Sequence, residues 1–298
     1  MSATSAVGAN AGLGAVREEH VRQYAAEGAT LVPGVFGEGW IARLLGAVDR
    51  VIEDARRPAF AALAAGNRTQ NPVSLQDRDG DAILRNVMHH APEFQAWLRD
   101  SCAAAVVGTV IGAEHVRFWM DATFVKEGNA DATATPWHND GCTFPFKGGH
   151  APSFWVALTD VEPDNAPLVT IAGTHLDPWN YRSPFSPQDV PLPPGYREWP
   201  DLLAQVDAPG AVRRVWPARA GDVMLIHPKT LHGSLPRTTT RPGRRVAFTT
   251  RWLGSDIRWA PDPLSVRIAT LEGNPRMQVG APPPDELFPI LWRRPGAG

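Results

Sequence analysis

The sequence predicts a mainly β fold with flanking helices, and three observations support that prediction. From about residue 115 onwards, several short segments rich in Val, Phe, Trp and Thr are bounded by turn residues, which is typical of a β-sandwich or barrel. Helical periodicity is strongest in the chain before residue 112. The 29 Pro and 27 Gly among 298 residues argue against a helical bundle or a coiled coil.

The helical part of the chain covers about 15–112. Its predicted elements are, in order, a helix over 16–28 that stops at Gly28, a short strand over 29–36, an amphipathic helix over 39–57, a surface excursion over 58–80 and one or two helices over 91–112. The helices are expected to pack on one outer face of the β core.

The β core covers about 113–260. Strands are predicted in HVRFWMDATFVK (115–126), PSFWVALTDV (152–161), PLVTIAG (167–173), GDVMLIH (221–227) and RRVAFTTRW (244–252). A Pro-rich insertion at about 178–217 interrupts the core, and a structureless stretch of this length is usually functional, so we expect a lid or a pocket wall. Together the two parts form a single predicted domain over 15–298.

Composition excludes several classes of function. Lys and Arg (29) nearly balance Asp and Glu (31), which gives a net charge of −2. This balance argues against a basic surface that binds nucleic acid as the main activity. No run reaches the roughly 18 apolar residues of a membrane helix, so no membrane partner is expected. With two cysteines, Cys102 and Cys142, and no signal-peptide pattern in the small, polar residues 1–14, we expect a disordered leader and a cytoplasmic protein.

The sharpest local feature is the segment Pro136-Trp137-His138-Asn139-Asp140. On an extended segment, His138 and Asp140 point to the same side, so an imidazole and a carboxylate provide two thirds of a metal site. A third ligand should be a histidine from a distant strand. Two histidines and one carboxylate on one face of an octahedron suit Fe(II) and leave three positions open.

A second block, AGDVMLIHPKTLHGSLPRTTTRPGRRVAFTTRW (220–252), supplies the remaining candidates. His232 competes with His227 for the third ligand, and Arg245 competes with Arg244 as a guanidinium that would hold a carboxylate. If the last strand alternates, Arg245 and Arg251 share one face, and Arg251 either enters the same cavity or forms a structural ion pair. We therefore hypothesise that the protein binds a metal ion together with a 2-oxoacid.

These motifs resemble the phytanoyl-CoA dioxygenase family of Fe(II)/2-oxoglutarate-dependent oxygenases over most of the chain. WHNDGCTFPFKG resembles the first metal motif of the family, and FWVALTDVEPDNAPLVTIAGTH resembles its segment with a Gly-Ser/Thr-His turn. AGDVMLIHPKTLHGS and RRVAFTTRW resemble its second metal motif and its co-substrate strand. The chain departs from the family at Asn165–Pro167, where Asn-Gly is usual, and this changes only a turn.

The resemblance implies a double-stranded β-helix, which is a cupin-like jelly roll, and a site for Fe(II), 2-oxoglutarate and O2. It implies His138, Asp140 and His232 as iron ligands and the catalytic centre. It also implies Arg245, Ser234 and Trp155 as contacts of the co-substrate. Trp137, Phe144 and Phe146 are weaker candidates for contacts with the substrate.

The expected activity is oxidation, most simply hydroxylation, of a C–H bond in a small molecule. The Ala-, Arg-, Gly- and Pro-rich composition suggests a bacterial chain, and tailoring of a secondary metabolite is the expected role. Two alternatives stay open at this point. One is a mononuclear iron oxygenase that does not use 2-oxoglutarate, and the other is a jelly-roll protein that binds a small molecule without catalysis.

Overall fold

The computed structural model describes residues 12–57, 71, 73–78, 81–88, 90–127 and 134–296. The predicted leader over 1–14 lies outside these residues except for 12–14, where a helical turn begins. Most of the predicted excursion over 58–80 also lies outside them. The boundaries of the single domain stay a prediction.

The predicted helices are confirmed, with ends that differ by a few residues. They are α1 (Glu18–Glu27), α2 (Glu38–Ala55), α3 (Pro92–Asp100) and α4 (Ala103–Ile111), and the insertion adds α5 (Trp199–Val206). α1 ends because Gly28 adopts a left-handed φ of 78°, which glycine reaches without strain, and the chain then turns directly into a strand. α2 buries the stripe Ile41, Leu44 and Val48 on one face.

The strands form two main antiparallel sheets. In chain order they are β1 (Ala29–Val32), β2 (Ser74–Arg78), β3 (Asp81–Arg85), β4 (His115–Lys126), β5 (Thr135–His138), β6 (Phe146–Lys147), β7 (Ser153–Ala157), β8 (Leu168–Ile171), β9 (Asn180–Tyr181), β10 (Tyr196–Arg197), β11 (Arg213–Trp216), β12 (Val223–Ile226), β13 (His232–Ser234), β14 (Arg245–Gly254), β15 (Arg258–Trp259) and β16 (Ile290–Arg293). The larger sheet has the order β1-β12-β7-β14-β4-β3-β2, with β16 also paired to β4. The smaller sheet has the order β11-β8-β13-β5.

The two sheets pack face to face. Trp155, Met224 and Ala247 of the larger sheet share one apolar cluster with Leu168 of the smaller sheet. The opposite face of the larger sheet is covered by helices, since Phe248 and the other outward side chains of β14 pack in a second cluster with residues of α2, α3 and α4. This arrangement is a double-stranded β-helix with helices on one side, so the predicted fold class is confirmed.

The insertion over 178–217 is not structureless, and that part of the expectation is wrong. It contains the parallel pair β9–β10, the helix α5 and the edge strand β11. Arg182 organises it, because this buried guanidinium donates to Glu198 Oε2 (2.9 Å) and to the carbonyls of Pro187 (2.5 Å) and Val190 (2.8 Å). Polar side-chain contacts of this kind leave no periodic pattern in a sequence.

In the described part of the chain, no helix combines the length and the apolar character needed to cross a membrane.

Candidate active site

The smaller sheet brings the two predicted histidine ligands face to face. His138 ends β5, His232 begins β13, and the two residues are directly opposite in the antiparallel register. Asp140 follows β5 by two residues. One ligand atom from each of these three side chains lies within 4.8 Å of the other two. His138 Nε2 is 3.6 Å from Asp140 Oδ1, and His232 Nε2 is 3.8 Å from Asp140 Oδ2.

Backbone carbonyls fix the orientation of both imidazole rings. Nδ1 of His138 donates to Pro136 O (2.8 Å), and Nδ1 of His232 donates to Thr230 O (2.9 Å). A carbonyl oxygen only accepts, so each Nδ1 bears a proton, and each Nε2 faces Asp140. This is the tautomer that a metal-binding histidine needs.

Two further side chains, those of Arg251 and Ser153, hold the carboxylate of Asp140. Its Oδ2 is 3.1 Å from Nη2 of Arg251 and accepts a short hydrogen bond from Ser153 Oγ. Burial alone would raise the pKa of Asp140, but the Arg251 guanidinium and then the two imidazoles outweigh it and hold that pKa well below its ordinary range. Burial, assisted by His138, lowers the pKa of His232 to about 4. At neutral pH the site therefore has an anionic carboxylate and a neutral His232 imidazole.

The alternation of β14 separates the two candidate arginines. Arg245, Thr249 and Arg251 line the cavity beside the three ligand atoms. Arg244 precedes the strand and forms an ion pair with Asp49 of α2. Arg245 is only 2 % exposed, and its Nε and Nη2 have no hydrogen-bond partner among the described residues. Buried N–H groups of a guanidinium that lack an acceptor are costly, so these two are suited to an anion that enters the cavity.

Lys126 is a cavity residue that sequence reasoning missed. It ends β4, lies opposite Arg245 in register, and is 6 % exposed. Its Nζ donates to Ser234 Oγ (2.8 Å) and Thr135 Oγ1 (3.0 Å). Burial, and then the neighbouring Arg245, lower the pKa of Lys126 to about 7. Its only signal in the sequence is the position of a lysine at the end of a predicted strand. The strand register that places Lys126 beside Arg245 cannot be read from the sequence.

The other two predicted co-substrate residues take different places. The ring of Trp155 lines the cavity, and the guanidinium carbon of Arg245 is 5.1 Å from its centroid. Ser234 is not among the cavity-lining residues described; its hydroxyl accepts from Lys126 and from the backbone N–H of Thr135 (3.0 Å). The full lining of this cavity is Phe124, Lys126, Thr135, His138, Asp140, Ser153, Trp155, Leu168, Ile226, His232, Arg245, Thr249 and Arg251.

The aromatic residues first considered for substrate contact lie elsewhere. Phe144 and Phe146 are buried in an apolar cluster around Trp119. Neither lines the cavity beside the three ligand atoms or the larger cavity next to it. Trp137 packs against the cluster that includes α5. A different aromatic ring, that of Phe185 in the insertion, lies 5.0 Å from the His138 ring, edge to face.

Fold and site together define a class of protein, the mononuclear non-haem iron oxygenases that bind the metal with two histidines and one carboxylate. The sequence profile of phytanoyl-CoA dioxygenase (PhyH) matches residues 24–246, and the chain belongs to this family. Its members are Fe(II)/2-oxoglutarate-dependent oxygenases, and the His-x-Asp…His triad of the family is intact here. A comparison with curated protein sequences finds no match.

Solved structures share the fold. The α-ketoglutarate-dependent carbocyclase SnoK from nogalamycin biosynthesis is 24 % identical, with a TM-score of 0.65 over 92 % of this chain and 96 % of its own. The epimerase SnoN from the same biosynthesis, in complex with Fe3+, α-ketoglutarate and nogalamycin RO, is 21 % identical, with a TM-score of 0.65 over 92 % and 98 %. EctD from S. alaskensis, with 2-oxoglutarate and 5-hydroxyectoine, is 18 % identical, with a TM-score of 0.60 over 90 % and 85 %.

Proposed function

We propose that the protein is a 2-oxoglutarate-dependent dioxygenase that hydroxylates a C–H bond of a small molecule. One observation carries this proposal: the ligand atoms of His138, Asp140 and His232 converge in the same cavity as the buried guanidinium of Arg245. The first group fits a ferrous ion, and the second fits the remote carboxylate of a keto-diacid.

The donor set suits the metal. Two neutral imidazole nitrogens and one carboxylate oxygen would ligate iron through His138, His232 and Asp140. Ser153 and Arg251 already occupy Oδ2 of Asp140, so they would direct Oδ1 towards the metal. The remaining positions would be left for co-substrate and O2.

The cationic end of the cavity suits the co-substrate. Arg245 and Lys126 lie on adjacent strands, and burial brings the pKa of Arg245 down to about 10. Each cation disfavours the charge on the other, and a carboxylate placed between them would relieve that repulsion. Trp155 would keep the guanidinium oriented, while Ser234 would act through Lys126 by accepting its hydrogen bond.

Iron together with 2-oxoglutarate would supply the oxidant for the substrate C–H bond, at the expense of O2 and with succinate and CO2 as by-products. The contribution of this chain is to orient the reactants and limit the access of water. The small lined cavity holds the co-substrate end, and Phe124, Trp155 and Leu168 provide its apolar walls.

Proteins of similar fold support a role in secondary metabolism. SnoN and SnoK, which share the fold, come from nogalamycin biosynthesis, and this supports a role in tailoring a bacterial secondary metabolite. SnoN is an epimerase and SnoK is a carbocyclase, so the fold also supports other outcomes of C–H oxidation. Both cysteines are free, which is consistent with the proposed cytoplasmic location.

The experiment is anaerobic titration of the protein with Fe(II) and then 2-oxoglutarate, followed by exposure to O2. We expect a charge-transfer absorption band that needs both additions, and succinate formation that His138→Ala abolishes. Iron binding without a band that depends on 2-oxoglutarate would favour the other kind of iron oxygenase. A failure to bind iron would favour a non-catalytic binding protein. Once a substrate is found, a product heavier by one oxygen atom is the signature of hydroxylation.

A further inference from the structure

A second, larger cavity adjoins the metal site on the side of His138. Its volume is about 310 Å³, which is within the range of small-molecule pockets. It shares Phe124, Lys126 and Thr135 with the smaller cavity. The described residues that line it are Gln76, Asp81, Ala82, Ile83, Phe124, Val125, Lys126, Ala134, Thr135, Pro136 and Phe185.

Phe185 is an unusual wall for this cavity because it is 60 % exposed while its ring lies against a metal-ligand histidine. An aromatic ring that is exposed at the wall of a cavity offers its face to a ring compound that enters the cavity. This ring also belongs to the Pro-rich insertion, in the part that precedes the edge strand β11.

The loop that carries Phe185 is held in place before any ligand arrives. The N–H of Phe185 donates to Ser183 Oγ (3.2 Å), and the N–H and hydroxyl of Ser186 both donate to Ser183 O (3.1 and 2.8 Å). The amide of Gln188 donates to the same carbonyl (3.1 Å). Proline residues on both sides restrict the backbone further. A ring fixed in this way loses little entropy when a ligand stacks on it.

Charge in the larger cavity is balanced. Its described lining has one carboxylate, Asp81, and one ammonium, Lys126. The ammonium donates to two hydroxyls, and the carboxylate accepts from the N–H of Glu127 (3.1 Å). Most of the other lining side chains are apolar. The several phosphate charges of a coenzyme A thioester would find no cluster of cations in this lining.

We propose that this larger cavity is the substrate site and that it takes an uncharged, mainly apolar ring compound that stacks on Phe185, rather than a coenzyme A thioester. This inference rests on the proposed function, because it places the substrate next to His138, whose ring lies against Phe185.

The test is equilibrium dialysis of naphthalene probes against protein loaded with Zn(II) and 2-oxoglutarate, which bind without turnover. We expect 2-naphthol to bind, and 2-naphthoate and 2-naphthylmethylammonium to bind at least roughly ten-fold more weakly, since a charge is costly in an apolar cavity. Phe185→Ala should weaken 2-naphthol binding roughly ten-fold, and Phe185→Tyr should keep it. Leu176→Ala is the matched control, because Leu176 is 70 % exposed and does not line the cavity.

Three results would overturn the inference: no binding of 2-naphthol, equal binding to the Phe185→Ala variant, or displacement of 2-naphthol by acetyl-CoA. The absorption band of the Fe(II)/2-oxoglutarate complex distinguishes an error in the substrate assignment from an error in the proposed function. If that band forms in wild type and in Phe185→Ala while the naphthol result is negative, only the substrate assignment fails. If the band is absent from wild type, the proposed function fails as well.

Discussion

The pair His138–His232 and the pair His175–His227 are both formed by neighbouring imidazoles, with ring centroids 4.2 and 5.0 Å apart, yet their neighbours differ. The first pair faces the carboxylate of Asp140 with both Nε2 atoms. In the second pair, His175 donates through Nε2 to Ala25 O (3.1 Å), and Nδ1 of His227 accepts from the N–H of Lys229 (3.2 Å).

The two histidine pairs also differ in the charge of their neighbours. Apart from burial, the groups that lower the pKa of His227, to about 3, are His175, Lys229 and His150, all of them cationic when charged. Two close imidazoles are therefore not sufficient for a metal site. The carboxylate, and the common direction of the Nε2 atoms, distinguish the pair that fits iron.

The largest expected effect tests this contrast directly. His232→Ala and Asp140→Ala should each weaken Fe(II) binding more than about 100-fold, because each removes a direct ligand. His227→Ala is the matched control and should leave the affinity for iron within a few-fold of wild type. Anaerobic Fe(II) titration measures both, with circular dichroism to check folding. Loss of iron binding in His227→Ala would reverse the assignment.

Sequence reasoning could separate these two histidines only through the family motif. The five predicted strands, the helices and the alternation of β14 were readable because each depends on local periodicity. The register that places His138 opposite His232, and Lys126 opposite Arg245, was not readable, because it depends on which strands become neighbours. The hairpin β2–β3 was missed, since strands of five residues give little pattern, and β2 lies where a surface excursion was predicted.

The adjacent residues Arg244 and Arg245 differ in a similar way. The second largest effect is expected on the Kd for 2-oxoglutarate when Arg245 is replaced. Arg245→Gln should raise the Kd for 2-oxoglutarate roughly 10- to 100-fold, because it removes a buried, charge-assisted hydrogen bond. Arg244→Gln should change it little, since Arg244 pairs with Asp49 on the helical side. Titration of the Fe(II) protein, followed by its absorption band, gives both constants. The opposite pattern would show that the assignment of the cavity arginine is wrong.

The contrast between the histidine pairs also depends on how Asp140 is held. Arg251→Gln should weaken Fe(II) binding roughly ten-fold, since Oδ2 of Asp140 would lose its ion pair and the carboxylate could turn. Ser153→Ala should have a smaller effect of the same kind, because the arginine contact is retained. Arg251→Lys should recover part of the affinity. An affinity unchanged in Arg251→Gln would mean that the triad is positioned by the backbone alone.

The last prediction concerns the stability of the folded protein in acid, and it depends on the second pair. The pKa of His227 is lower in the folded protein (about 3) than the ordinary value of 6.5, so the unfolded chain binds more protons between these values. The stability that neutral His227 contributes is fully present above about pH 6.5 and is lost as the pH falls towards 3. The loss approaches about 1.4 kcal/mol per pH unit.

His227→Phe removes this titration and keeps a ring of similar size. Urea unfolding at pH 7 and pH 5 should therefore show a smaller drop in the free energy of unfolding for the variant than for wild type. The pair His138–His232 provides the comparison. Zn(II) should reduce the loss of unfolding free energy that protonation of His232 causes in acid, and it should not change the loss that protonation of His227 causes. If Zn(II) reduces both losses equally, the pair His175–His227 also binds metal. A neighbouring carboxylate would then not be what makes one histidine pair a metal site and the other not.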